Sequence, residues 1–178
     1  MNKILSAFVL CFFVASVSAQ QKVNPAIKNF GSVYDVANAT EKPDPKMKYK
    51  ILVEITDAAE KPDSLNVYLE AVATLYNLHV VGGVPPKNID MVVVLRKMGT
   101  YAGFTNERFQ KSFKTNNPNL PLITELSNAG VKFFACGQTM IKAKIADTDI
   151  VPEVKIATAS LTVLTTYQLK GYAYINFK

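Results

Sequence analysis

Apolar positions in this chain come in short runs separated by turn residues, and the runs alternate between two periods. Tyr49 to Thr56 (YKILVEIT) is a β-branched apolar run of strand length. After the turn residues Lys61-Pro62-Asp63, the positions Leu65, Leu69, Val72, Ala73 and Tyr76 recur at helical spacing. Asn88 to Lys97 contains MVVVL, a continuous apolar strand of the kind buried on both faces of a sheet, with Gly82-Gly83 and Pro85-Pro86 marking the connection before it. Gly99 to Asn117 reads as a loop carrying a short amphipathic helix over Glu107 to Phe113, and Pro121 to Asn128 as a helix that Ala129-Gly130 ends. Val131 to Ala135 is then a strand, Cys136-Gly137 a turn and Gln138 to Ile145 a helix. Val154 to Ala159 supplies a fourth strand, Leu161 to Lys170 a helix closed by Gly171, and Tyr172 to Phe177 a fifth strand. Strands alternating with helices predict an α/β sandwich: a mainly parallel sheet of five strands with helices on both faces.

The beginning of the chain follows neither period. Met1 to Ala19 has a basic start at Lys3, an apolar run from Ile4 to Ala15, and small residues Val17 and Ala19 at the −3 and −1 positions of a cleavage site. This is the pattern of a secretory signal, too short to span a bilayer, and it places the mature protein in the periplasm or outside the cell. Residues 20–46 are polar and turn-rich, with Asn24-Pro25, Gly31 and Lys42-Pro43-Asp44-Pro45, and predict an extended arm without a core of its own. Residues 47–178 form the α/β domain.

Composition changes this picture little. With 49% hydrophobic and 19% charged residues the chain is an ordinary globular sequence. Its net charge is +6, yet only Arg96 and Arg108 are arginines, and no basic patch interleaved with aromatics points to nucleic acid. Asn38-Ala39-Thr40 matches a glycosylation acceptor in the arm.

Cysteine usage matters more. Cys11 leaves with the signal, so Cys136 remains as an unpaired thiol in an oxidising compartment. In open α/β sheets ligands gather beyond the carboxyl ends of the strands, where this chain presents Asp57, Lys97 to Gly99, Cys136 and Ser160. A cysteine directly before a helix meets unpaired N–H groups that favour its thiolate, the nucleophilic form. Gly137 would admit a substrate to the backbone, and Gln138, Thr139 and Ser160 offer polar contacts. The competing reading makes Cys136 an inert core thiol, since Phe133, Phe134 and Ala135 form an apolar approach to it. His79 is the only histidine and reads as a packing residue; a triad of Ser160, His79 and Asp57 lacks a nucleophile elbow. No spacing calls for a metal or an organic cofactor, and Gly99 to Gly103 lacks a dinucleotide or phosphate-loop fingerprint.

The order of elements and three stretches carry a resemblance. Ser64 to Asn77 (SLNVYLEAVATLYN), Ile123 to Met140 (ITELSNAGVKFFACGQTM) and Leu161 to Ile175 (LTVLTTYQLKGYAYI) resemble the DsrE/DsrF-like (DsrEFH-like) family, in its secreted single-domain branch, over about Tyr49 to Phe177. The resemblance implies a three-layer α/β/α domain assembled into trimers or hexamers. It also implies, as in family members of sulfur oxidation and tRNA thiolation, a cysteine in this region that carries sulfur as a persulfide. Carried over by position, Cys136 is that acceptor and small sulfur species are its ligands. The alternative is a non-enzymatic oligomeric binding module in which Cys136 is a buried structural thiol and the N-terminal arm with Tyr101, Phe104 and Phe109 serves subunit or ligand contacts. A third reading, a thiol redox sensor, needs an exposed Cys136.

Overall fold

The computed structural model describes residues 21–177; the predicted signal and Lys178 lie outside the described residues. Five strands form one parallel sheet: β3 (Tyr49–Ile55), β4 (Ile89–Leu95), β5 (Lys132–Cys136), β6 (Val154–Ala157) and β7 (Ala173–Phe177), in the spatial order β6-β5-β4-β3-β7. Two further strands in the arm, β1 (Lys22–Val23) and β2 (Val33–Tyr34), pair antiparallel as a small separate ribbon.

Parallel strands need crossovers, and five helices supply them. They are α1 (Val67–Val81), α2 (Asn106–Phe113), α3 (Leu120–Asn128), α4 (Gly137–Lys142) and α5 (Ser160–Leu169). Local chemistry sets their starts. Asn66 caps α1, its side-chain oxygen accepting from the Tyr68 and Leu69 amides at 2.9 and 3.2 Å, and the Thr105 hydroxyl accepts from Arg108 N–H at 3.2 Å to open α2. The predicted loop from Gly99 is instead a 3₁₀ segment over Lys97–Gly103, and the helix after Cys136 is shorter than its apolar pattern suggests, ending at Lys142.

The two faces of the sheet are covered unequally. On one, Ile51, Val53, Met91, Val93, Leu95, Phe133 and Ala135 pack under buried residues of α1 to α4, including Leu69, Tyr76, Phe109, Leu122, Leu126 and Met140. On the other, Leu52, Val92, Val94 and Phe134 are covered by α5 alone, through Val163, Leu164 and Tyr167, with Tyr172 beside them. This is a three-layer α/β/α sandwich whose second outer layer is one helix thick. The helix follows β6 at one edge and precedes β7 at the other, so it crosses the width of the sheet.

The arm packs on α1 and lends Ile27, which is fully buried, to the first core. Asn77 holds it there. Its Oδ1 accepts from the Ala26 and Ile27 amides at 3.1 and 2.9 Å, and its Nδ2 donates to the carbonyls of Ile27, Phe30 and Gly31. Gly31 has φ of 63°, and a Cβ there would lie 2.4 Å from the α1 backbone at Ala73, so this contact admits only glycine. Replacing Asn77 by Ala strands several buried backbone groups and should destabilise the protein by about 3 kcal/mol. Denaturant titration measures that loss, and hydrogen exchange should show protection lost first between residues 26 and 31.

Candidate functional site

The parallel sheet brings the carboxyl ends of β3, β4 and β5 to one edge, and a cavity of about 360 Å³ opens there on the α5 side. Cys136, Gln138, Thr139, Ser160 and Leu161 line it together with Arg96, Lys97 and Lys142. Of the predicted site residues, the structure gathers Cys136, Gln138, Thr139 and Ser160 here. Gly137 is not in the lining. A Cβ at that position would sit 2.6 Å from the Ala157 carbonyl, so the glycine serves close packing of the β5–α4 turn against β6.

Cys136 is the last residue of β5, and only 4% of its surface is exposed. Its sulfur meets two helices, the α4 that follows it in sequence, through Thr139, and α5. The amide of Ser160, the first residue of α5, donates to Sγ at 3.2 Å. Ala159, the residue before α5, offers no side-chain cap, so the cysteine sulfur satisfies an N–H that would otherwise be orphaned. Burial pushes the thiol up, but hydrogen bonds from Ser160 and Thr139, side chain and backbone, outweigh it and bring Cys136 from 9.0 to about 7. Near neutral pH about half of it is thiolate. Thr139 is itself positioned by the Lys97 amide, which donates to its hydroxyl at 3.3 Å. Lys97 has φ of 50°, a left-handed conformation unusual for a residue with a side chain, and this local strain lies on the rim of the cavity.

Behind the rim is a charge that the reading of the apolar run passed over. Glu54, within β3, is 1% exposed and shares a sheet face with Leu52, Val92 and Val94. Arg96 forms an ion pair with its carboxylate through Nε, Tyr174 donates its hydroxyl to it, and Asn176 donates at 3.4 Å. Burial and the Glu54 carboxylate both raise the Tyr174 phenol above its usual range.

The remaining candidates lie elsewhere. His79 bonds the Leu75 carbonyl at 2.8 Å and packs edge-on against Tyr49, the first residue of β3, which puts it at the opposite end of the sheet from Cys136. Asp57 accepts from the Thr56 hydroxyl and does not reach the cavity lining. Phe104 and Phe109 are buried in the first core, and Tyr101 and Phe113 line a separate apolar cavity of about 180 Å³ under α2. Among the described residues no group of three or more His, Cys, Asp or Glu could hold a metal ion, and no helix is long and apolar enough to cross a membrane.

The model of the DsrE/DsrF-like family matches residues 47–177. The chain belongs to that family. Solved structures agree on the fold. The protein of unknown function MTH1491 from Methanobacterium thermoautotrophicum superposes with a TM-score of 0.57 at 19% identity, covering 72% of this chain and 99% of that one. The ychN protein from E. coli gives 0.54 at 19% identity, with the same coverage. A comparison with curated protein sequences finds no match. Membership accounts for the parallel sheet flanked by helices, and the chemistry of the cavity depends on this chain's own residues.

Two outcomes follow for Cys136. Thr139→Val removes a hydrogen bond to the sulfur and should raise the midpoint of alkylation against pH toward the ordinary thiol value. The second concerns stability. A folded-state value of about 7 against an ordinary 9.0 means the contribution is absent below pH 7, grows as pH rises, and is complete above about 9. The stability difference between the native protein and Cys136→Ala should therefore widen from pH 7 to 9 in denaturant titrations. A pH-independent difference would contradict it.

Proposed function

We propose that this DsrE/DsrF-like protein takes up sulfane sulfur as a persulfide on Cys136, and does so in the periplasm or outside the cell. The observation that carries the reading is the Cys136 sulfur itself, hydrogen-bonded by Ser160 and Thr139 as a thiolate and opening onto a cavity with three cationic residues. The thiolate attacks the outer sulfur of a thiosulfate or polysulfide donor. A new S–S bond forms on Sγ, the donor's own S–S bond breaks, and its electron pair leaves with sulfite or the shortened polysulfide. Cys136 ends as a persulfide anion, and neither an oxidant nor a cofactor is consumed. The donors that the Ser160 amide and the Thr139 hydroxyl present to the thiolate serve the persulfide anion in the same way. The leader-like pattern of residues 1–19 is the basis for the location.

The same reading places further copies of the chain against α5. That helix turns Leu161 and Leu169, 64% and 90% exposed, away from the sheet it covers. Sedimentation analysis should give a trimer or hexamer, and Leu169→Glu should shift it toward smaller species.

A second reading, the binding module with a structural thiol, is favoured by the low exposure of Cys136. Intact-mass spectrometry after incubation with thiosulfate or polysulfide, beside Cys136→Ser, separates the two. The persulfide reading expects a gain of one sulfur mass that a reductant removes and that the variant lacks. No adduct, with the thiol unreactive until unfolding, would leave the binding module.

A further inference from the structure

Glu54 is an expensive residue in its position. Its neighbours on the same sheet face are Leu52, Val92 and Val94, and replacing it together with its polar partners by apolar residues of similar volume is the kind of change that is often neutral or stabilising. Its carboxylate gathers the Arg96 guanidinium, the Tyr174 hydroxyl and the Asn176 amide. Among these only Arg96 reaches the Cys136 cavity, and its side chain is 27% exposed. The pair therefore fixes a guanidinium at the mouth of the site.

The way Arg96 is held decides what it can do. Glu54 engages Nε, one edge of the planar group, and among the described residues the two outer nitrogens make no hydrogen bond to protein. That leaves a fork of N–H donors of the kind that matches a carboxylate, sulfonate or thiosulfate oxygen pair. Lys97 and Lys142 line the same cavity without an ion-pair partner among the described residues, and no acidic side chain lines it. The field at the sulfur is thus positive even after Glu54 is counted against Arg96.

We propose that Arg96, oriented by Glu54, is the positioning residue that selects anionic sulfur donors for Cys136, gripping the oxyanion end while the sulfur to be transferred meets Sγ. The inference rests on the persulfide reading of the site, and deepens it by naming the class of donor: a small compound that carries its reactive S–S bond next to an oxyanion. Neutral or cationic disulfides and thiosulfonates meet the same thiolate without the grip.

Three methanethiosulfonates of different charge test this without any transfer assay: an anionic sulfonatoethyl, a neutral methyl and a cationic trimethylammonioethyl reagent. Each is attacked at its S–S bond and releases the same sulfinate. The anionic-to-cationic rate ratio at Cys136, divided by that ratio for free cysteine in the same buffer, should be about tenfold or more, and should fall as salt is added. Arg96→Gln should return the ratio most of the way to one, while the neutral reagent changes by no more than about twofold apart from any common change in thiolate fraction. Glu54→Gln keeps the guanidinium but releases its orientation, and should lose part of the ratio. Circular dichroism of each variant checks folding, and Lys97→Gln, which leaves the Glu54 pair intact, should lose less than Arg96→Gln. A native ratio equal to that of free cysteine, or a ratio that survives Arg96→Gln, would overturn the role of Arg96 while leaving the persulfide reading in place. A thiol that reacts with none of the three until unfolding would overturn both.

Discussion

The hydrogen bond from the Ser160 amide to the Cys136 sulfur joins the edge of the sheet to the start of the helix that covers its second face. A helix must find acceptors for its first N–H groups, and α5 has no side-chain cap of its own. Supplying the acceptor from β5 ties the position of α5 to the position of the cysteine. It also places the sulfur against the positive end of a ten-residue helix, in addition to the Thr139 contact from the six-residue α4 that follows it in sequence. Packing of the second layer and polarisation of the thiol are in this sense one contact.

The rest of the site follows from the direction of the strands. Because all five sheet strands are parallel, Glu54 on β3, Arg96 directly after β4 and Cys136 on β5 lie toward the same end of the sheet. The single-helix cover leaves that end open on the α5 side, whereas α1 to α4 and the arm close the other face. A buried carboxylate there is tolerated because Arg96, Tyr174 and Asn176 all bond to it, and the last two come from β7, the strand delivered by α5. The crossover thus supplies both the amide that meets the sulfur and the strand that holds the charge behind it.

Much of this was legible in the amino-acid sequence, for identifiable reasons. The strands Tyr49–Ile55 and Ile89–Leu95 are buried on both faces and so read as unbroken apolar runs, and the α/β alternation follows from them. Most element ends moved by a residue or two and α4 ended three residues early, and the two-residue strands of the arm were invisible because they are too short to carry a period. The junction of Cys136 with a helix was readable, but not that a second helix also bonds the sulfur, since Ser160 lies 24 residues further along the chain. Lys97 was readable as a strand-end position, whereas nothing singled out Arg96 or Lys142, and Glu54 was one polar position in an apolar strand. That last feature was the available signal: a carboxylate inside YKILVEIT needs a partner, and Arg96 closes the neighbouring strand.

The central claim is that the folded protein holds Cys136 as a thiolate near neutral pH. Nuclear magnetic resonance of the Cys11→Ser protein labelled with ¹³C at the cysteine β-carbon reads this directly, because Cys136 is then the only cysteine that reports. The account predicts a single titration with a midpoint near 7, moving up toward 9.0 on unfolding. A folded-state midpoint at or above the ordinary thiol value, or a resonance that does not titrate, would contradict it.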